Sequence, residues 1–205
     1  MPKIGIFGGS FDPVHFGHLR LAEEARERLD LERVLFVPNH ISPFKLSREV
    51  TPGEIRAEML RLAVADNPYF VVDDREIRRP GPSFTVNTLR ELQRENPNAE
   101  MYFLTGTDAV KGLPGWNEPE ALLELAYFVA AARPGVRDRD VLDALPDAWE
   151  RRVLFLPMPE LDISATDIRL RTREGRSVRY LTPPAVEQFV RERGLYAPGS
   201  TDIRA

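Results

Sequence analysis

Short apolar runs rich in β-branched and aromatic residues alternate with helix-patterned stretches along the chain. That alternation restricts the fold more than any other feature. "KIGIF" (3–7) reads as a buried strand and "LRLAEEARERL" (19–29) as a helix, with Leu19, Ala22, Ala25 and Leu29 near helical spacing. "RVLFVP" (33–38) is a second strand, and the proline-bearing residues 39–51 read as a long loop. "GEIRAEMLRLAVAD" (53–66) predicts a helix with Ile55, Met59, Leu62 and Ala63 inward. "YFVVDD" (69–74), "EMYFLTG" (100–106), a run within "LAYFVAAARPG" (125–135) and "VLFLP" (153–157) predict further strands, with a helix over 85–95. Strand–helix alternation implies right-handed crossovers and a mainly parallel sheet covered on both faces. Ligands of such sheets bind beyond the carboxyl ends of the strands, at the switch point. The segments that look chemical follow strands: "GGSFDPVH", "PNHISPFK" and "TGTD".

Composition removes several function classes. The chain has no cysteine, so a disulfide framework and a thiolate metal site are both excluded. Its net charge of -4 gives no global basic footprint for nucleic acid, although a local pocket can still be basic. No apolar run reaches membrane-spanning length, and the start of the chain is a strand running into glycine rather than a signal peptide. The expectation is a cytoplasmic protein with neither a nucleic-acid nor a membrane partner; a homo-oligomer is left open. Among the 28 basic residues only Lys3, Lys45 and Lys111 are lysines.

"GGSFDPVHFGH" (8–18) carries two of the three histidines. It lacks both the P-loop ending and the three-glycine dinucleotide spacing. Gly8 and Gly9 still allow backbone N–H groups to approach an anion, and the helix that follows offers its positive end. His15 and His18 fall three apart around the first helical turn. A metal pair lacks a third ligand at suitable spacing. Histidines that merely cap the turn are the bland alternative. Two donors acting on a phosphate suit the glycine turn, the helix start and the imidazoles together.

Other segments carry similar alternatives. In "ISATDIR" (163–169), Ser164 and Asp167 have capping-box spacing and start a helix. The same hydroxyls, with Thr166, Arg169 and free N–H groups, make a second anion site. Lys45 is either a solvated loop lysine or a phosphate contact. Asp108, after Gly106, is either a helix cap or a carboxylate for ribose hydroxyls. Trp116, flanked by Pro114, Gly115 and Asn117, is either core or a stacking platform on a loop.

"GGSFDPVHFGH" resembles the HxGH signature of nucleotidyltransferases, and within them the bacterial nicotinate-nucleotide adenylyltransferases, the NadD family of NAD biosynthesis. "SFTVNTL" (83–89), "FLTGTD" (103–108), "LPGW" (113–116), "ARPG" (132–135), "ISATDIR" and "YLTPPAVEQFVRERGLY" (180–196) follow the family's order. The resemblance implies a Rossmann-like doubly wound α/β fold, with helices on both faces and a short C-terminal helical extension. It implies one nucleotidyltransferase domain over 1–196, its helical part about 164–196, followed by a flexible tail over 197–205. His15, His18 and Lys45 are the implied catalytic residues. ATP would be held by Gly8, Gly9, Ser10, Phe11, Gly106, Asp108, Ile163, Ser164, Thr166 and Arg169. Nicotinate mononucleotide would be held by Ser83, Thr85, Trp116, Asn117 and Arg133. No resident metal is implied; Mg²⁺ would arrive on ATP. Two positions depart from the family: Phe44 stands before Lys45 where a histidine is usual, and Asn117 follows Trp116 where a second aromatic is common. His40 lies earlier in the same loop.

The implied reaction joins ATP and nicotinate mononucleotide into deamido-NAD and releases pyrophosphate. Near rivals are HxGH adenylyltransferases acting on nicotinamide mononucleotide or phosphopantetheine. A non-catalytic nucleotide-sensing module is the rival of another class, and the paired histidines weigh against it.

Overall fold

A computed structural model of the protein describes residues 1–41, 50–131, 138–158 and 161–198. Six parallel strands form one sheet in the order β3-β2-β1-β4-β5-β6. They are β1 (Lys3–Gly9), β2 (Arg33–Pro38), β3 (Phe70–Val72), β4 (Glu100–Gly106), β5 (Tyr127–Ala131) and β6 (Val153–Leu156). The helices are α1 (Phe16–Leu29), α2 (Gly53–Val64), α3 (Arg75–Arg78), α4 (Thr85–Glu95), α5 (Thr107–Lys111), α6 (Pro119–Leu125), α7 (Asp138–Leu142), α8 (Ala165–Arg173) and α9 (Pro184–Glu192). This is the doubly wound α/β order. The chain runs outward from β1 to β3, then crosses back to lay β4 on the other side of β1. The carboxyl ends of β1 and β4 therefore part at the switch point, where a ligand crevice opens.

The sheet is buried on both faces, which is why its strands read as continuous apolar runs. On one face Phe7, Phe36 and Leu104 pack with Ala22 and Ala25 of α1, Met59 and Leu60 of α2, and Val186 and Val190 of α9. On the other, Ile4, Ile6 and Phe103 pack with Val86 and Leu89 of α4, Val110 of α5, Leu122 of α6 and Val141 of α7. The C-terminal helix thus completes the first core. Pro184 stands at its first turn, and Gly194 ends it in the left-handed region at φ 61°. That reversal buries Leu195 and turns Tyr196 back toward the first loop.

Helix α1 begins at Phe16, three residues before the first apolar repeat at Leu19, because its start is set by polar bonds around His15. Four helices shorter than eight residues, α3 and α5–α7, leave no mark in the apolar periodicity, since none spans enough turns to show a repeat. The tail expected over 197–205 lies outside the described residues from 199 onward. No helix among the described residues is long and apolar enough to cross a membrane.

Candidate active site

At the end of β1 the chain makes a tight turn through Ser10, Phe11 and Asp12 into α1. Phe11 sits at φ 49°, a left-handed conformation costly for a bulky residue. Its ring is buried edge-on to Phe7, with centroids 5.3 Å apart, and to His18 at 5.0 Å. Position 9 is tight: a Cβ there would stand 3.0 Å from the Phe11 ring, which would have to shift to admit it.

His15 is the N-cap of α1 and His18 lies on its first turn. The two imidazoles stack, with centroids 3.6 Å apart. The backbone N–H of His15 donates to Nδ1 of His18 at 3.2 Å. An Nδ1 that accepts carries no proton, so neutral His18 is held as the Nε2–H tautomer, with its donor on the far side of the ring. Gly17 makes the arrangement fit: a Cβ there would lie 3.0 Å from His15 Nδ1 and 3.6 Å from the Ile163 carbonyl. His15 Nδ1 is buried without a hydrogen-bond partner.

Burial lowers the His15 pKa from 6.5 to about 4. The folded state then binds this proton less readily than the unfolded chain does. The stability tied to neutral His15 is present above pH 6.5 and is lost as pH falls toward 4. The expected result is a His15 Cε1–H resonance that titrates with a midpoint near 4, read by NMR. A midpoint near 6.5 would show that the ring is solvated.

The start of α8 meets this turn. Ser164 is its N-cap, and Oγ accepts from the Asp167 N–H at 3.1 Å. The Asp167 carboxylate pairs with Arg171 at 2.7 Å. Arg169 crosses to the first loop: one Nη donates to the Asp12 carbonyl at 2.6 Å and the other to Thr166 Oγ1 at 3.1 Å. The two anion-site segments read from the sequence, far apart along the chain, are thereby in contact.

Two adjoining cavities run from this turn across the end of the sheet. The first, about 270 Å³, is lined by Ser83, Phe84, Thr85, Gly115, Trp116 and Asn117. The second, about 240 Å³, shares Ser83, Thr85 and Trp116 with it and ends on Gly8, Gly9 and Ser10. Thr85 opens α4, whose N-cap Phe84 supplies no side-chain bond and whose first turn has no acidic residue. The N–H groups of Thr85 and Val86 have no intrahelical acceptor, while that of Asn87 donates to the Phe84 carbonyl at 3.1 Å. Trp116 ends a 3-10 turn over Leu113–Gly115, and its ring sits edge-on to Phe103 at 6.0 Å and Phe128 at 6.1 Å. Asn117 is exposed. Gly106 caps α5 and the exposed Asp108 lies on its first turn, beyond β4; their neighbours Thr105 and Ala109 line the second cavity.

Ser83 is buried, and its hydroxyl accepts from the His40 N–H at 2.9 Å. It also bonds Glu76, whose carboxyl burial pushes upward while bonds from Thr88 and Ser83 pull it down. Glu76 and Thr88 line the second cavity; Thr88 lies within "SFTVNTL" without being singled out there, and Glu76, among the arginines of "REIRRP", does not stand out in the sequence. Asn39 lines it too, from the "PNHISPFK" segment that follows β2. Lys45, Arg133 and the Phe44 departure lie outside the described residues. Among the described residues no group of three His, Cys, Asp or Glu side chains could hold a metal ion.

The cytidylyltransferase-like family model matches residues 6–171. A protein of Thermus thermophilus named "Probable nicotinate-nucleotide adenylyltransferase" is 50% identical over 194 residues, covering 95% of this chain and 99% of its own. One of the same name from Thermomicrobium roseum is 45% identical over 197 residues, covering 96% and 92%. Among solved structures, the Plasmodium falciparum nicotinic acid mononucleotide adenylyltransferase complexed with NaAD superposes with a TM-score of 0.80 at 19% identity, covering 96% of this chain and 98% of that one.

Proposed function

The chain belongs to the cytidylyltransferase-like family and, within it, to the nicotinate-nucleotide adenylyltransferases, and from that premise we propose that it transfers the adenylyl group of ATP to nicotinate mononucleotide, giving deamido-NAD and pyrophosphate. One observation carries the reading. The two adjoining cavities join an aromatic platform beside an uncapped helix start to a glycine turn with paired histidines. One end suits a pyridine ring bearing a carboxylate, and the other suits phosphates.

The 5′-phosphate of the mononucleotide is the nucleophile. It is anionic at neutral pH and needs no protein base. It attacks the α-phosphorus of ATP in line, a new P–O bond forms, and the bond to the β-phosphate breaks to release pyrophosphate. Catalysis is then positioning and charge stabilisation. Nε2–H of His18 donates to the charge building on the α-phosphate. His15, stacked on it and neutral, keeps that ring in place. The start of α8 with Ser164, Thr166 and Arg169, together with Lys45, takes the remaining phosphates. Gly106 and Asp108 take the adenosine ribose. Trp116 stacks on the pyridine, and N–H groups near Thr85 and Asn117 bind its carboxylate; Ser83 supports that segment, and Arg133 assists. Mg²⁺ enters as part of the ATP substrate, carried on phosphate oxygens, because it dehydrates reluctantly and rarely needs an all-protein cage.

Pyrophosphate release from ATP and nicotinate mononucleotide by the purified protein is the test. Release that depends on both substrates is expected. ATP binding without release would favour a sensing module, and release with phosphopantetheine instead would favour a different HxGH enzyme.

A further inference from the structure

The glycine turn is braced from behind by a buried cluster that the reaction itself does not use. Arg56, on α2, is 1% exposed. Its guanidinium donates to the carbonyls of Ser10 at 2.7 Å, Thr51 at 2.7 Å and Asn39 at 2.6 Å, with His40 at 3.5 Å. Each of these acceptors is backbone. Asp12, 6% exposed, supplies the nearby charge; its Oδ1 accepts from the Tyr196 hydroxyl at 2.6 Å and its Oδ2 from the Thr51 N–H at 3.4 Å. Thr51 Oγ1 donates in turn to the Tyr196 oxygen at 3.5 Å. Burial, with the Asp12 charge beside it, holds the Tyr196 hydroxyl protonated.

The geometry has a specific object. Phe11, at φ 49°, is the strained residue of the turn. Arg56 grips the carbonyl before it, that of Ser10, and Arg169 grips the carbonyl after it, that of Asp12. An outlying backbone conformation persists only where its surroundings over-determine it. A buried guanidinium is a poor choice for stability alone, since an apolar side chain of similar volume is often as good. Its planar fork does what an apolar group cannot: it fixes several carbonyls in one plane.

We propose that Arg56, Asp12 and Tyr196 are positioning residues that hold the turn Ser10–Asp12 in the shape that forms the phosphate end of the groove. The proposal rests on the reading of that end as a phosphate site. None of the three touches the reacting atoms. They act through the backbone, and they couple Tyr196, just beyond the last helix, to the first loop.

Two variants of the full chain test this, Arg56→Lys and Tyr196→Phe. Lysine keeps the charge without the fork, and phenylalanine removes one hydroxyl. Calorimetric titration with inorganic tripolyphosphate reads the phosphate end, titration with nicotinate riboside, which lacks the 5′-phosphate, reads the other end, and kcat reads their alignment. Arg56→Lys is expected to weaken tripolyphosphate binding and lower kcat by about 10-fold or more each, while the riboside Kd stays within about two-fold. Tyr196→Phe is expected to lower both quantities by about 3-fold and also to lower the melting temperature, since it leaves a buried Asp12 oxygen without its donor. If Arg56→Lys does not fold, Tyr196→Phe decides. Wild-type tripolyphosphate affinity and kcat in a folded variant would overturn the proposal. So would equal weakening at both ends, which marks a general structural role. Should the wild-type protein bind tripolyphosphate yet release no pyrophosphate from its substrates, the adenylyl-transfer reading fails and the titration still decides the positioning.

Discussion

His18→Ala lowers kcat by at least about 100-fold while leaving the Kd for ATP within several-fold, since removing one preorganised donor to transition-state charge typically costs roughly 2.7–4 kcal/mol. The geometry explains why so much rests on one ring. The His15 N–H fixes the His18 tautomer at 3.2 Å, the His15 ring stacks on it at 3.6 Å, and Phe7 and Phe11 meet its edges at 5.8 and 5.0 Å. Its orientation is set before substrate arrives, so no reorganisation is needed as charge develops. In the proposed reading the helix start of α8 and the arginine beside it also hold the triphosphate in the ground state, so affinity is expected to survive. Steady-state kinetics with a direct ATP titration separates the two. Equal losses in binding and turnover would move His18 to a ground-state role.

The strands were legible because burial on both faces leaves continuous β-branched runs, as in "RVLFVP"; such runs do not fix which strands pair with β1 or in what register. The start of α1 was less so. A helix opened by an N–H bonding to a histidine three residues on leaves no apolar mark. Arg56 was legible in part. It occupies the same helical stripe as Met59, Leu60 and Ala63, where an arginine is out of place, yet "GEIRAEM" taken as apolar periodicity draws the eye to Ile55 instead. Glu76 gave no such sign. Arginines stand close to it on both sides in sequence, but its burial comes from α4, through Thr88. Asp12 lay inside the recognised motif, while the partner that gives it meaning, Tyr196, is 184 residues away. Pair interactions across that distance are set by topology, which a local reading does not contain. The sequence marks Arg169 as a phosphate ligand alone; the structure adds that it already serves the turn through the Asp12 carbonyl.

Nicotinate mononucleotide is expected to be preferred over its amide by at least about 100-fold in kcat/KM, which corresponds to about 2.7 kcal/mol. The two substrates differ only in carboxylate against carboxamide. A carboxylate accepts hydrogen bonds and carries charge; a carboxamide turns NH₂ donors toward some of the same N–H groups and leaves them unpaired. Each unmet buried donor costs about 1–3 kcal/mol, so two supply the ratio. The cavity beside Trp116 offers such donors. The first N–H groups of α4 have neither a side-chain cap nor an acidic residue to satisfy them, and they stand at the positive end of an 11-residue helix. The opposite wall is tied to that helix. Arg90 on α4 forms a two-bond pair with Glu118, at 2.9 and 2.6 Å, just after Asn117. Both partners are partly exposed, so the pair sets register more than it adds stability. Asn117 replaces an aromatic side chain, which removes stacking area. Its backbone N–H is unchanged by that replacement, so discrimination survives where some affinity does not. Measuring kcat/KM for both mononucleotides at fixed ATP and Mg²⁺ decides the matter. A ratio near one, or one favouring the amide, would reject acid specificity at this cavity and leave adenylyl transfer at the glycine turn standing.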